Sequence, residues 1–224
     1  MSLQAKLDAF KADFESGKPP YNAPKAVIEI MQRATAELIA SGAASRAKKV
    51  GDTAPSFSLK DPNGNVLDSK ELLRRGPLIL TFYRGAWCPY CNMELQALEA
   101  AKAKFDKYGA SLVAISPQTA ANSRKSIQQN NLTFPILSDP HGKLSEAFGL
   151  RFQLPDYLIE LYKGFKNDLP LFNDDPSWTL PMPARFVIGQ DGVILYAEAN
   201  PDYTRRPEPE ALLPALERAA SVKA

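Results

Sequence analysis

Apolar residues recur at spacings of three and four along the first part of the chain. The stripe over residues 3–14 predicts an amphipathic helix that ends at the Gly-Lys-Pro-Pro run of residues 17–20. A second stripe predicts a helix from about residue 24 to residue 39. We therefore expect a helical extension over residues 1–49, packed on the rest of the protein or on a partner subunit.

From residue 50 onward, short apolar runs alternate with amphipathic stretches. The continuous apolar runs at residues 77–83 and 110–116 predict buried strands, and each is followed by a helical pattern. Residues 185–196 hold two apolar runs around a Gln-Asp-Gly turn, which indicates a hairpin. This alternation predicts an α/β domain over residues 50–224, with a mixed central sheet flanked by helices.

Two further segments complete the predicted domain. Residues 153–180 are rich in aromatic residues and prolines, and we interpret them as an insert with one helix over residues 157–165. A last helix is expected from about residue 208 to Val222.

Composition and charge exclude several classes of protein. Of the 224 residues, 45% are hydrophobic and 23% are charged, so the chain can bury a core. A net charge of +2 is too small to indicate binding to nucleic acid or to a membrane. The longest apolar run is too short to span a bilayer, and the N-terminus lacks the apolar segment of a secretory signal. We expect a cytoplasmic protein.

The chain has two cysteines, Cys88 and Cys91, and one histidine, His141. A disulfide framework needs more cysteines, and a structural zinc site needs four ligands of these types. His141 lies in an Asp-Pro-His-Gly turn, so we expect it at the surface rather than beside a cysteine nucleophile. The sequence therefore predicts redox chemistry for the cysteine pair, without a metal or another cofactor.

The Cys-Pro-Tyr-Cys segment lies where the predicted strand of residues 77–83 ends and a helix begins. At the N-terminus of that helix, unpaired N–H groups and the helix dipole favour the thiolate of Cys88. Cys91 lies one turn later and can close a disulfide, so we expect Cys88 to attack and Cys91 to resolve. Trp87 precedes the pair, and Arg84 either adds positive charge to the loop or is a solvated residue.

From about residue 50 to its C-terminus the chain resembles the redoxin superfamily, in the peroxiredoxin-like branch of the alkyl hydroperoxide reductase/thiol-specific antioxidant group. The resemblance rests on residues 51–57, 84–91, 177–183 and 202–206. It implies a thioredoxin-like fold and thiol-dependent reduction, with peroxide as a plausible substrate. By analogy with such peroxidases, it also implies a homodimer.

The chain departs from the peroxiredoxin pattern at three positions. Peroxiredoxins place a proline seven residues, and a Thr or Ser three residues, before the attacking cysteine, where this chain has Thr81 and Gly85. They also place an arginine three residues before the phenylalanine of a late strand, where this chain has Pro183. Arg185 is out of that register, and we do not assign it the peroxidase role.

Pro183 matches instead the cis-proline of thioredoxin-like proteins. The resemblance implies a cis bond after Met182 that presents the backbone of Met182 to an extended substrate thiol. Arg205 and Arg206 form an adjacent pair after the last strand. Either one of them reaches the thiolate or the substrate, or both are solvated.

Three functions are compatible with this sequence. The first is a thiol peroxidase in which Cys88 reduces peroxide and forms a disulfide with Cys91, reduced in turn by a thioredoxin- or glutathione-type donor. The second is a disulfide reductase that acts by thiol–disulfide exchange. The third is a redox sensor or binding module whose helical extension and insert hold a partner.

Overall fold

The computed structural model describes residues 1–221, so Val222, where we expected the last helix to end, lies outside the described residues. The strands, in chain order, are β1 (Ser58–Lys60), β2 (Val66–Asp68), β3 (Leu78–Phe82), β4 (Ser111–Ser116), β5 (Ile136–Ser138), β6 (Arg151–Gln153), β7 (Thr179–Pro181), β8 (Ala184–Ile188) and β9 (Ile194–Ala199). The α-helices are α1 (Leu3–Glu15), α2 (Lys25–Ala40), α3 (Ser69–Arg75), α4 (Pro89–Asp106), α5 (Ala120–Asn130), α6 (Lys143–Ala147), α7 (Asp156–Gly164), α8 (Leu169–Asn173) and α9 (Leu213–Ser221).

A five-stranded mixed sheet forms the centre of the fold, in the order β5-β4-β3-β8-β9. Strands β3, β4 and β5 run parallel, and β8 and β9 complete the sheet through antiparallel pairing. Every residue of β3 is buried, because helices cover both faces of the sheet there. This is the mixed α/β sheet that the sequence predicts.

The two faces of the sheet support two apolar cores. On one face, residues of α4 pack with Leu3 and Leu7 of α1, both nearly inaccessible. On the other face, the ring of Phe148 packs at 5.0 Å from that of Phe82 and at 4.8 Å from that of Phe186. Successive residues of a strand point to opposite faces, so one short strand contributes to both cores.

The N-terminal helices pack on the same chain. Helix α1 begins where the Glu208 carboxylate accepts hydrogen bonds from the backbone N–H groups of Leu3 and Gln4, at 2.9 and 3.0 Å. Helix α2 buries no residue completely and packs against α7, where Tyr157 donates a 2.6 Å hydrogen bond to Glu37. Packing on the same chain was one of the two expectations for this extension. The domain boundary at residue 49 stays a prediction.

The segment of residues 153–180 contains more structure than the single predicted helix. Helices α7 and α8 lie within it, and the antiparallel pair β6–β7 closes it at both ends. Its apolar residues form a small third core with α2. The strand pair is absent from our prediction because each strand has only three residues.

No helix within residues 1–221 is both long and apolar enough to cross a membrane. His141 lies in the surface turn that the sequence predicts, with 59% of its side chain exposed.

Candidate active site

The cysteine pair begins α4 directly after β3 and a short loop. Cys88 is the N-cap residue of α4, Pro89 is the first helical residue, and Cys91 lies in the first turn. The backbone N–H of Cys88 donates to the Gly85 carbonyl at 3.1 Å, which fixes the end of the loop. Both cysteines are free thiols, 2% and 0% exposed.

The surroundings of the two thiols separate their pKa values. Burial opposes ionisation of Cys88, but hydrogen bonds from Cys91 and the positive charges of Arg84 and Arg206 lower its pKa to about 6. Burial, together with the neighbouring Cys88 thiolate, raises the pKa of Cys91 well above its usual value. The arrangement therefore favours a Cys88 thiolate that accepts a hydrogen bond from the Cys91 thiol.

The lowered pKa of Cys88 predicts how its reactivity depends on pH. Only the thiolate is alkylated, so the rate of reaction with iodoacetamide should rise with pH and level off above about 6, whereas an ordinary cysteine levels off above about 8.5. Arg84→Gln should move the midpoint to higher pH, and the control Arg205→Gln, at an exposed position, should leave it in place. A midpoint near 8.5 in the unmodified protein would contradict this description of the site.

Arg84 is buried within the site and is not a solvated loop residue. Only 4% of it is exposed, and its guanidinium lies over the rings of Trp87 and Tyr203, at 4.8 and 4.2 Å from their centroids. It donates a hydrogen bond to the Tyr162 hydroxyl, while its Nε has no hydrogen-bond partner among residues 1–221. Arg84 thus holds a positive charge and a free N–H donor close to the thiols.

The packing around Gly85 explains why the chain lacks a Thr or Ser three residues before Cys88. Gly85 has a φ of 157°, and a Cβ at this position would lie 2.5 Å from Nε1 of Trp87. A larger residue would displace the indole of Trp87. The loop is also held by the backbone N–H of Ala86, which donates to Oε1 of Gln118 at 2.9 Å.

A buried ion cluster supports Cys91 from the other side. Nη2 of Arg206 lies 3.8 Å from the Cys91 sulfur, and Nε of Arg206 donates to the Glu94 carboxylate. Arg185 donates to the other Glu94 oxygen at 2.8 Å. The side chains of this triad, Glu94, Arg185 and Arg206, are 1–2% exposed. Burial opposes ionisation of Glu94, but the two arginines keep its pKa below the usual value.

The sequence did not point to Glu94, and it did not distinguish the two adjacent arginines. Arg206 is turned into the protein, while Arg205 is exposed. Arg185 lies in the triad rather than beside the thiols, which agrees with leaving it without the peroxidase role. Glu94 falls within a helix whose other inward positions are apolar, and no local signal marks it.

The predicted cis bond between Met182 and Pro183 is wrong. This bond is trans. Among the described residues, the Pro19–Pro20 bond is the only one that is cis. The backbone N–H of Met182, which follows β7, donates to the carbonyl of Leu150, which precedes β6, at 2.9 Å. The hydrogen bonding between these two segments thus extends one residue beyond the strands. That N–H is therefore not available to a substrate, which removes one element of the thioredoxin-like site. Pro183 lies near Arg84 in the wall of a small second cavity.

A cavity of about 440 Å³ opens onto Cys88, and we refer to it as the chamber. Helices α1, α2 and α7 and the loop before α4 form its walls. The lining that these elements contribute is mainly apolar and includes Phe10, Phe14, Met31, Ala36, Tyr162 and Cys88. The chamber thus connects the reactive thiol with the helical extension.

The chain has recognisable relatives among known proteins. The model of the AhpC/TSA family matches residues 50–197. Alkyl hydroperoxide reductase E of Mycobacterium tuberculosis is 32% identical over 151 residues, which cover 66% of this chain and 84% of that protein. The putative peroxiredoxin bcp of Helicobacter pylori is 35% identical over 106 residues, which cover 46% of this chain and 69% of that protein.

The fold is shared with solved structures. The crystal structure of peroxidoxin BcpB from Mycobacterium tuberculosis superposes with a TM-score of 0.60 at 24% identity, over 79% of this chain and 99% of that one. This likeness confirms the thioredoxin-like fold. Helices α1 and α2 precede the part of the chain that the family model matches.

Proposed function

This chain belongs to the AhpC/TSA family of thiol-dependent oxidoreductases, and we propose that it reduces hydroperoxides with Cys88 as the attacking residue. One observation carries the proposal: Cys88 is an N-cap thiolate with a lowered pKa that lines the chamber. The family and the relatives favour a peroxidase over the two alternative functions.

The first step is nucleophilic attack on the peroxide. The Cys88 thiolate attacks the terminal oxygen of the hydroperoxide, the O–O bond breaks, and Cys88 becomes a sulfenic acid. The other oxygen leaves as an alcohol, or as water from hydrogen peroxide, after it takes up a proton. The Arg84 guanidinium stabilises the negative charge that develops on this leaving oxygen, because it lies in the chamber wall near Cys88.

The second step forms the disulfide between Cys88 and Cys91. The Cys91 sulfur attacks the sulfenic sulfur of Cys88, an S–S bond forms, and the hydroxyl leaves as water with the Cys91 proton. Arg206 favours this step because its positive charge stabilises the Cys91 thiolate. A thiol donor then returns two electrons to the disulfide, either as one dithiol or as two molecules of a monothiol. We propose a thioredoxin- or glutathione-type donor in the cytoplasm, and a homodimer stays a prediction.

Rapid mixing of the reduced protein with hydrogen peroxide tests this function. We expect Cys88 to be oxidised much faster than a free thiol and then to form a disulfide with Cys91. Oxidation at the rate of a free thiol, together with rapid reduction of disulfide substrates, would favour a disulfide reductase instead. Failure to turn over either substrate, with a partner retained in only one redox state, would favour a sensor.

The adjacent arginines allow a matched test of the second step. Arg206→Gln should raise the pKa of Cys91 and slow disulfide formation, by about three- to fourfold for each unit of pKa, because the loss of thiolate is partly offset by the greater nucleophilicity of the thiolate that remains. The exposed control Arg205→Gln should form the disulfide at the unmodified rate. The readout is the phase of the oxidation that does not depend on peroxide concentration. Equal effects of the two substitutions would refute the role of Arg206.

A further inference from the structure

The chamber opens onto one sulfur atom of the cysteine pair, while the other sulfur is fully covered. Cys88 is 2% exposed and lines the chamber, whereas Cys91 is 0% exposed and is not part of its lining. We propose that the Cys88–Cys91 disulfide is reduced by a low-molecular-weight zwitterionic thiol that enters the chamber, and that the helical extension keeps protein dithiols away from it. This inference rests on the proposed function and selects the electron donor of the same site.

The disulfide can form without opening the fold. Cys88 is the N-cap residue of α4 and Cys91 lies in its first turn, so the two side chains lie on the same face of the helix. The Cys91 thiol already donates a hydrogen bond to Cys88 in the reduced protein. We therefore expect the oxidised pair to stay as buried as the thiols, with its Cys88 sulfur facing the chamber.

Helix α1 covers the segment that carries the disulfide. The ring of Phe10 lies edge-on to that of Tyr90, with 5.1 Å between their centroids, and Tyr90, between the two cysteines, is 6% exposed. Leu3 and Leu7 of the same helix belong to the apolar core that includes both cysteines. Even the small interfaces of redox partners bury on the order of several hundred Å² on each side. Helix α1 occupies the surface where a protein donor would have to dock.

The backbone N–H of Met182 is already used within the fold. It donates to the Leu150 carbonyl at 2.9 Å, and the next residue, Pro183, lines the second cavity together with Arg84. Proline has no N–H, so neither residue can pair through an N–H with an extended segment of a partner. Docking of a protein dithiol by strand pairing is therefore disfavoured here, independently of the cover that α1 provides.

The chamber has the size and the charges that suit a small peptide thiol. Its volume of about 440 Å³ lies within the range of about 300–1,000 Å³ that is usual for pockets that bind small molecules. Most of its lining is apolar, but Lys11 contributes a positive charge, and Glu15 and Asp202 contribute negative charges. A zwitterionic thiol carries an ammonium and a carboxylate group that these charges attract. A cysteine-containing tripeptide belongs to this class.

The first step of the reduction breaks the buried disulfide. A donor thiolate in the chamber attacks the Cys88 sulfur, a bond forms between these two sulfurs, and the Cys88–Cys91 bond breaks. The electron pair of the broken bond leaves on Cys91, which then takes up a proton. Nη2 of Arg206, 3.8 Å from the Cys91 sulfur, stabilises this leaving thiolate. The product is a mixed disulfide between the donor and Cys88.

The second step releases the oxidised donor. A second donor thiolate attacks the donor sulfur of the mixed disulfide, Cys88 leaves as a thiolate, and the two donor molecules depart joined by a disulfide. The two monothiols thus supply the two electrons that reduce the pair. The low pKa of Cys88 makes it a good leaving group, and the raised pKa of Cys91 slows its attack on the mixed disulfide, which would reverse the first step. The pair is therefore suited to a monothiol donor.

Reduction of the oxidised protein by two donors of different size tests this inference. The disulfide is prepared with diamide, and its loss is measured by alkylating the free thiols and recording the intact mass after mixing with glutathione or with reduced thioredoxin. Glutathione should reduce the disulfide through an intermediate that carries one glutathione on Cys88. At equal concentrations, thioredoxin should react no faster than glutathione. Reduction of insulin in the same assay verifies that the thioredoxin is active.

A weakened attachment of α1 should admit the protein donor. Glu208 accepts hydrogen bonds from the N–H groups of Leu3 and Gln4 at the start of α1, so Glu208→Ala removes the cap of this helix. Thioredoxin should then reduce the disulfide about tenfold faster, because α1 detaches more often, while the rate with glutathione changes far less. Glu210→Ala is the matched control, because Glu210 forms an exposed pair with Lys104. It should leave both rates unchanged.

A substitution inside the chamber should act on the small donor instead. Ala36 lines the chamber from α2, so Ala36→Trp should slow reduction by glutathione by about tenfold or more. Ala40→Trp is its control, because Ala40 is exposed at the end of the same helix and is not part of the lining. It should leave the rate unchanged.

The outcomes separate this inference from the proposed function. Faster reduction by thioredoxin than by glutathione in the unmodified protein would overturn the inference, as would failure of glutathione to reduce the disulfide or equal effects within either pair of variants. The peroxidase function would stand in each case, because the disulfide is prepared with diamide and not with peroxide. If no hydroperoxide oxidises Cys88 faster than a free thiol, the proposed function fails, whichever donor reduces the disulfide.

Discussion

Cys88→Ser is expected to lower peroxidase turnover by on the order of 10³-fold or more. The serine hydroxyl does not ionise near neutral pH, so the interactions that lower the pKa of Cys88 cannot convert it into a nucleophile. The measurement is steady-state consumption of hydroperoxide with an excess of a dithiol donor. Turnover within a few fold of the unmodified protein would show that another group attacks the peroxide.

Cys91→Ser is the matched variant, because it removes the second sulfur and keeps the first. It should still consume one molecule of hydroperoxide per chain, at a rate similar to that of the unmodified protein, and then stop at the sulfenic acid. The proposed order of the two cysteines predicts this difference. If Cys88→Ser instead retained the single turnover and Cys91→Ser lost it, the order would be reversed.

Glu94→Gln is expected to lower the free energy of unfolding by about 3–5 kcal/mol. The substitution preserves the shape of the side chain but leaves the guanidinium groups of Arg185 and Arg206 buried together without the carboxylate that accepts a hydrogen bond from each of them. Removing one member of a buried ion cluster costs far more than removing a member of an exposed pair. Urea unfolding of the reduced protein measures the change.

An exposed ion pair of α4 provides the control for Glu94. Asp106 pairs with Lys102 at 2.9 Å near the end of the same helix, and half of the Asp106 side chain is accessible. Asp106→Asn should therefore change stability by less than about 1 kcal/mol. Equal losses of stability in the two variants would mean that the buried triad contributes no more to the free energy of unfolding than an exposed ion pair.

The periodicity of the sequence predicts most of the elements because the packing of each is signalled locally. The buried strand β3 is a continuous apolar run, and the spacing of Cys88 and Cys91 directly after this run is sufficient to indicate a redox pair. The strands β6 and β7 were not predicted, because three residues are too few to establish a period of two.

The surroundings of the thiols are less accessible to sequence reasoning, since they join distant parts of the chain. Glu94 comes from a helix, Arg185 from a strand and Arg206 from a loop, and only the tertiary fold brings them together. Likewise, the stripe of α1 predicts an apolar face but not that Phe10 lies against Tyr90. The residues around Pro183 also do not specify that its peptide bond is trans or that the N–H of Met182 is bonded to the Leu150 carbonyl.

The central claim is that Cys88 takes the oxygen of a hydroperoxide and Cys91 resolves the product. Intact-mass measurement of the reduced protein after exposure to one equivalent of hydroperoxide tests it most directly. The unmodified chain should lose the mass of two hydrogen atoms, and Cys91→Ser should gain the mass of one oxygen atom, located on Cys88 by peptide mapping. An oxygen retained on the unmodified chain, or found on Cys91 in Cys88→Ser at a comparable rate, would contradict the account.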